Sequence, residues 1–117
     1  MSHALYHSRS SKKIWGGETS DYLPIHQFMD QSKAHFPLNS HRCIFHSSFG
    51  IFLVEQFFGP TIKNSKNQDI PTRAIAEQHV LEDMSFIPTL SDWLQEMPVK
   101  PWMYKKSKKL SQNPNLQ

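Results

Sequence analysis

His41-Arg42-Cys43-Ile44-Phe45-His46-Ser47-Ser48-Phe49-Gly50-Ile51-Phe52-Leu53-Val54-Glu55-Gln56-Phe57-Phe58-Gly59 is the most apolar stretch of the chain, and it carries two histidines and an arginine at its front. Its periodicity predicts one helix over roughly 41–58, capped by Asn39 or Ser40 and ended by Gly59-Pro60. Phe45, Phe49, Phe52 and Gln56 fall on one stripe, which Ile44, Ile51, Val54 and Phe58 widen. Apolar positions on several sides mark a central helix. Gly50 costs about 1 kcal/mol against alanine inside a helix, so its presence predicts a close approach by another backbone or group. On a continuous helix His41 and His46 point about 140° apart. They would not grip one ion as a local pair, but would face different neighbours.

Working outward, Asp21 opens a helix over roughly 22–35, with Pro24 in its first turn and Pro37 as its stop. Ile25, Phe28, Met29 and Ser32 form its inner face. Upstream, residues 7–15 predict a short helix anchored by Trp15 and ended by Gly16-Gly17. Downstream, Thr61-Ile62-Lys63 and Gln68-Asp69-Ile70 read as a small hairpin. Thr72 caps a further helix over about 73–84, with Ala76, Val80 and Met84 inward and Ile75, His79 and Asp83 beside them. Thr89, with Asp92 three residues on, opens a last short helix in a capping-box arrangement. The expected fold is mainly α: a compact single domain of about four helices, with a short β-hairpin between the second and third.

A chain of 117 residues has room for one domain with a small core. The reading divides it into a polar segment with a short helix (1–20), a helical core domain (21–99) and a basic tail (100–117). Eight of the thirteen basic residues and all ten acids lie in residues 1–99, so the body is slightly acidic. The other five basic residues, Lys100, Lys105, Lys106, Lys108 and Lys109, lie in the tail. Such a tail reads first as a solvated, disordered end, and more weakly as an electrostatic contact for nucleic acid. Cys43 is the one cysteine, so no intrachain disulfide forms, in keeping with a reducing compartment. No apolar run reaches membrane-spanning length, and the first twenty residues hold no apolar signal region. The expectation is a cytoplasmic protein with no membrane contact.

The chemistry lies in seven histidines and their acidic neighbours. His26 and Asp30 are four apart on one predicted helix, and His79 and Asp83 are four apart on another. Residues four apart share a helix face, so each pair supplies two ligands, or a ligand and the carboxylate that orients it. With His46 these form a candidate metal site between packed helices. Imidazole and carboxylate donors suit Zn, Mn or Fe. His7 and His41 are further candidates. Lys33, Arg42 and Arg73 are candidate phosphate contacts. The bland alternative makes these residues edge histidines and solvated helix charges, the same reading as applies to Glu77 and Glu82 around His79. Cys43 and His46, three apart, resemble a nucleophile and base, but a lone cysteine in an apolar helix reads as a small buried side chain.

Three strings carry a resemblance: Asp21-Tyr22-Leu23-Pro24-Ile25-His26-Gln27-Phe28-Met29-Asp30-Gln31-Ser32-Lys33, then His41-Arg42 with His46 and Phe49-Gly50-Ile51-Phe52, then Ala76-Glu77-Gln78-His79-Val80-Leu81-Glu82-Asp83 with Ile87-Pro88-Thr89. Across roughly residues 7–97 the chain resembles a family of small bacterial and phage proteins catalogued as a domain of unknown function. The resemblance draws in His7, Ser11, Trp15 and Gly16-Gly17. The chain departs from the family pattern at Lys66-Asn67, where Asp-Gly is usual. It departs also at Ser85, where a helix-ending glycine is usual, and at Cys43, where a small apolar residue is usual. The resemblance implies a compact helical domain with a polar cluster of His, Asp and Lys, and brings no activity with it. Two functions follow as expectations. One is metal-dependent hydrolysis of a phosphoester or nucleotide. The other is a non-enzymatic interaction or inhibitor module that binds a host protein.

Overall fold

The computed structural model describes residues 3–34 and 41–104. Among these, six α-helices and one hairpin follow in the order α1 (Ala4–Trp15), α2 (Thr19–Met29), α3 (Arg42–Phe45), α4 (Ser48–Phe58), β1 (Thr61–Lys63), β2 (Asp69–Pro71), α5 (Thr72–Met84) and α6 (Leu90–Gln95). The strands pair antiparallel with Ile62 opposite Ile70. Helices α1, α2, α4 and α5 are the long ones, and α5 packs against the other three. The mainly helical expectation holds, with more helices than foreseen and the hairpin between α4 and α5. The expected caps at Asn39 and Ser40, the stop at Pro37 and the tail beyond residue 104 lie outside the described residues.

The largest departure is in the opening stretch, which is two helices and not one. The chain turns at His46-Ser47. His46 leaves helical geometry with φ −95° and ψ 53°, and Ser47 is extended. Ser47 then caps α4 by accepting the Gly50 amide at 3.1 Å, and its own hydroxyl donates to Ile44 O at 2.8 Å. The corner is tight because Gly50 lacks a side chain: a Cβ there would sit 2.6 Å from the Phe45 carbonyl carbon and closer still to Ile44 O and Phe45 Cα. The turn also resets the phase of α4. Gly50, Ile51 and Val54 face inward, while Phe49 and Phe52, expected on the inner stripe, are 44% and 51% exposed.

The helix after Gly17 begins earlier than expected. Asp21 sits in its first turn and accepts the Glu18 amide at 2.7 Å, the third position being where a carboxylate caps a helix. Pro24 therefore falls in the second turn, where it forgoes a helical hydrogen bond. Asp21 also accepts Ser65 N at 2.8 Å, which fastens the hairpin turn to α2. α5 starts at Thr72 with Pro71 as its cap residue, so Thr72 is buried in the helix and does not cap it. At its other end Ser85 takes the left-handed conformation (φ 71°) in which a glycine is the usual residue. The Thr89 box forms as expected: Asp92 N donates to Thr89 Oγ1 at 3.0 Å and Thr89 N to Asp92 Oδ2 at 2.8 Å.

The apolar core is Tyr22, Ile25, Met29, Ile51, Val54, Ile70, Ile75, Ala76 and Val80. Among the described residues polar side chains are buried in slightly larger number, including His7, Ser11, His26, His46, Gln78 and His79, all but Gln78 fully. Burying a polar group is costly unless it is hydrogen-bonded. The interior is therefore half apolar core and half polar network, and α1 belongs to it through His7, Ser8 and Ser11.

Candidate metal centre

Four segments deliver the network. α1 presents His7 and Ser11, one turn apart. α2 carries His26 in its last turn, and Asp30 follows the helix as its C-terminal cap residue. His46 is thrown inward by the α3–α4 corner, and Trp93 of α6 holds that corner by donating from Nε1 to His46 O at 3.0 Å. α5 presents two adjacent pairs at four-residue spacing, Gln78 with Glu82 and His79 with Asp83.

Asp30, His46, His79 and Asp83 each offer one ligand atom, and these atoms lie within 4.8 Å of one another. His46 Nε2 is 2.8 Å from Asp83 Oδ2 and 3.7 Å from Asp30 Oδ1. His79 Nε2 is 3.4 Å from Asp83 Oδ2 and 3.3 Å from Asp30 Oδ1. Donors on opposite sides of an ion with bonds of about 2.1 Å are about 4.2 Å apart. Side-chain adjustments of well under 1 Å would close the four around one ion. His41 and His46, expected on opposite sides of a helix, come within 6.1 Å of each other (ring centroids), because the helix that would have separated them is broken.

The hydrogen bonds fix which nitrogen of His79 faces this centre. Gln78 Nε2 donates to His7 O at 3.0 Å and to Glu82 Oε1 at 2.7 Å, so Gln78 Oε1 points at Ser11. The Ser11 hydroxyl faces His7 O at 3.0 Å and Gln78 Oε1 at 2.5 Å, both acceptors, and spends its proton there. His26 Nε2, 2.8 Å from Ser11 Oγ, must then be the donor. Burial, followed by the charges of His79 and His7, lowers the His26 pKa to about 2, so the ring is neutral and its Nδ1 is an acceptor. His79 Nδ1–H therefore donates to His26 Nδ1 at 2.9 Å. His79 Nε2 is left facing two carboxylates, where it needs either a proton or a cation. His26, expected as a further ligand or an outer-shell partner, stands behind His79 and sets its tautomer, the part an outer-shell partner plays at metal sites.

The electrostatics agree. Burial works against a charged His79, but its hydrogen bonds to Asp30 and Asp83 outweigh it and raise the pKa. Burial lowers the pKa of His46. Asp83 is held far below the usual carboxylate range: burial opposes this, and the imidazoles of His46, His7 and His79 around it overcome it. Asp30 is likewise lowered, against burial, chiefly by His79. These directions predict a stability profile for metal-free protein. Below pH 6.5 the unfolded chain takes up protons that folded His26 and His46 refuse, so stability falls on acidification. Folded His79 holds its proton more tightly than the unfolded chain does. Its contribution is complete below pH 6.5 and fades as pH rises through its raised pKa. Melting in a chelator should thus peak near pH 6.5 and decline on both sides; a flat alkaline limb to about pH 9 would contradict the His79 assignment. A bound cation replaces that proton, so metal should restore the alkaline limb.

Asp30 is the partly open member of the cluster, its side chain 19% exposed against 3% for Asp83. Near it lies His41, whose pKa is lowered first by burial and then by the charges of Arg42 and Lys33. Two of the candidate phosphate contacts are thus near this edge. Arg73 is not: it is exposed on α5, pairs with Glu77 at 3.1 Å, and lines a groove with Ser48, Ile51 and Glu55. Glu77 stays on the solvent side as expected, but Glu82 does not. It turns inward to accept from His7 Nδ1 at 2.8 Å, from Gln78, and from Ser10. Gln78 and Glu82 as supporting residues were missed by sequence reasoning, and Ser11 entered only through the family resemblance. Their signal was the doubled four-residue spacing 78/82 beside 79/83, matched by 7/11 on α1.

Fold and site together define a small helical domain with a buried His/Asp cluster able to hold a metal ion. Residues 2–103 match a family described as Domain of unknown function (DUF6915), and the chain belongs to that family. No curated protein and no solved structure matches the chain. Among the described residues no helix is long and apolar enough to cross a membrane.

Proposed function

We propose that the protein binds one divalent transition-metal ion through His46, His79, Asp30 and Asp83 and uses it to hydrolyse a phosphoester or nucleotide. The observation that carries this reading is the approach of four ligand atoms, from three separate segments of chain, to within 4.8 Å in a mostly buried site. The donor set fits Zn, Mn or Fe. Such an ion lowers the pKa of a bound water and polarises a phosphoryl oxygen. The chain's own contribution is to hold His79 by His26 in the ligating tautomer, to keep Asp83 ionised, and to leave the Asp30 edge open. Lys33 and Arg42 bind the phosphate there, as charge-assisted donors.

Purified protein should carry about one equivalent of metal, and saturation at 100 times Kd should add about 2.7 kcal/mol of stability. Elemental analysis showing under about a tenth of an equivalent, with no rise in melting temperature on adding Zn or Mn, defeats the reading. Changing His46 and His79 together to alanine should abolish binding and phosphatase activity. Arg42→Ala should lower kcat/KM by about 10- to 100-fold with metal still bound.

A second reading, a non-enzymatic module for a protein partner, is favoured by an apolar groove between the end of α5 and α6, lined by Met84, Phe86, Pro88 and Trp93. Here the double histidine variant would keep its partner in a pull-down, and no phosphoester would turn over. A nucleic-acid contact would rest on the Lys105–Lys109 tail and should vanish on truncation after residue 99.

A further inference from the structure

Among the described residues, His7 Nε2 is buried with no hydrogen-bond partner, and the same holds for Asp83 Oδ1. The two atoms lie 3.1 Å apart. They face each other without the alignment a hydrogen bond needs. The other nitrogen of His7 is committed. Its Nδ1 is 2.8 Å from Glu82 Oε1, which also accepts from Gln78 Nε2, while Glu82 Oε2 accepts from Ser10. Glu82 already accepts from these two other donors, so His7 Nδ1 is the donor of its pair with Glu82. Nε2 is then turned toward a carboxylate oxygen inside the protein. Two buried atoms so placed need either a proton or a metal ion between them.

The second indication is the placement of the ring. His7 lies against His79, with centroids 3.9 Å apart and planes inclined by 30°. Both rings have Nδ1 tied to a partner in the protein and Nε2 turned to Asp83, His7 to Oδ1 and His79 to Oδ2. The arrangement repeats a pattern of metal-binding histidines, in which one nitrogen is oriented by a hydrogen bond so that the other is free to ligate.

We infer that His7 is the fifth protein ligand of the centre, so that the ion draws on three imidazoles and two carboxylates and fastens α1 to α5. The inference rests on the metal-binding reading above. Asp83 spans the two halves of the donor set, with Oδ2 toward His46 and His79 and Oδ1 toward His7. With Asp83 held through one oxygen, a six-coordinate ion keeps one position for water. With both oxygens bound that position closes. A donor set of this size suits a first-row ion that accepts five or six ligands, and it is more than a tetrahedral ion uses.

Co2+ is the probe, because its visible absorption is weak in five- or six-coordinate sites and stronger in tetrahedral ones. Titration of wild-type protein should load one equivalent with weak absorption, and X-ray absorption of that sample should show three imidazole ligands. His7→Gln should bind Co2+ at least about 100-fold more weakly, with stronger absorption. Hydrogen exchange of the α1 amides should slow on adding Co2+ to the wild type. Two imidazoles in the wild-type sample, or equal affinity in His7→Gln, overturns the fifth ligand and leaves the four-ligand centre standing. Failure of the wild type to take up Co2+ overturns both. Should His7→Gln not fold, the ligand count and the exchange measurement on the wild type decide alone.

Discussion

Gly50→Ala should destabilise the protein by about 3 kcal/mol, lowering its melting temperature by some 10–20 °C, and should weaken metal binding as well. Helix propensity argues the other way: an alanine inside a helix is worth about 1 kcal/mol over glycine. The clash decides the sign. The added Cβ would meet Ile44 O, Phe45 Cα and the Phe45 carbonyl carbon, at 2.6 Å for the last. All three are backbone atoms, so no rotamer change relieves the contact, and the α3–α4 corner must open. That corner holds His46 at its apex and the Ser47 cap that satisfies the Gly50 amide. Moving it takes one imidazole away from Asp83 and strains the Trp93–His46 hydrogen bond. Chemical denaturation with and without added Co2+ measures both effects. A variant as stable as the wild type, or more so, would mean that the corner is looser than described.

The same glycine shows how much of this protein is legible in its sequence. A glycine within an apolar run announces a close approach, and the approach is there. The partner is the preceding turn of the same stretch and not another element, because Ser47, two polar residues into the run, caps a new helix. Ser-Ser is a weak breaking signal beside so many phenylalanines, and counting apolar residues carried the helix straight through it. The phase of α4 then came out wrong, and with it the placing of Phe49 and Phe52. Around α5, where Ala76 and Val80 mark the inner face, Ile75 and His79 on the adjacent stripe are buried beside it.

α1 illustrates the opposite limit. Its buried residues are His7, Ser8 and Ser11, so no apolar periodicity marks the face that enters the interior. Glu82 reads as solvated for the same reason: a charged residue on a helix reads so unless its partners are known, and two of those partners are His7 and Ser10, more than seventy residues away in the chain. A polar interior is specified by pairings across sequence distance, which hydropathy does not record. The i, i+4 spacings do record half of each pairing, which is why the metal-ligand candidates emerged while their supports did not.

Asp83→Asn should cost about 3 kcal/mol near neutral pH and reduce metal affinity by at least about a thousandfold. Asp83 is the common partner of His7, His46 and His79, at 3.1, 2.8 and 3.4 Å, with its side chain 3% exposed. Asparagine keeps the shape and one acceptor but removes the charge that balances a protonated His79 in metal-free protein. The remaining carboxylate, Asp30, is 3.3 Å from His79 and more open to solvent, so it compensates only in part. Breaking a buried pair by removing one partner is costly because the other charge stays behind. The pH dependence separates this account from simple loss of packing. Folded Asp83 has a lowered pKa, so its contribution is present above the ordinary value of 3.8 and is lost as pH falls through the folded one. With the carboxylate gone, the His79 pKa drops, and the decline of stability above pH 6.5 flattens. Wild-type and variant stability curves should therefore lie farthest apart near pH 6 and draw together toward both acid and alkali. A constant gap at every pH would assign the loss to packing and remove the charge balance from the description of the centre.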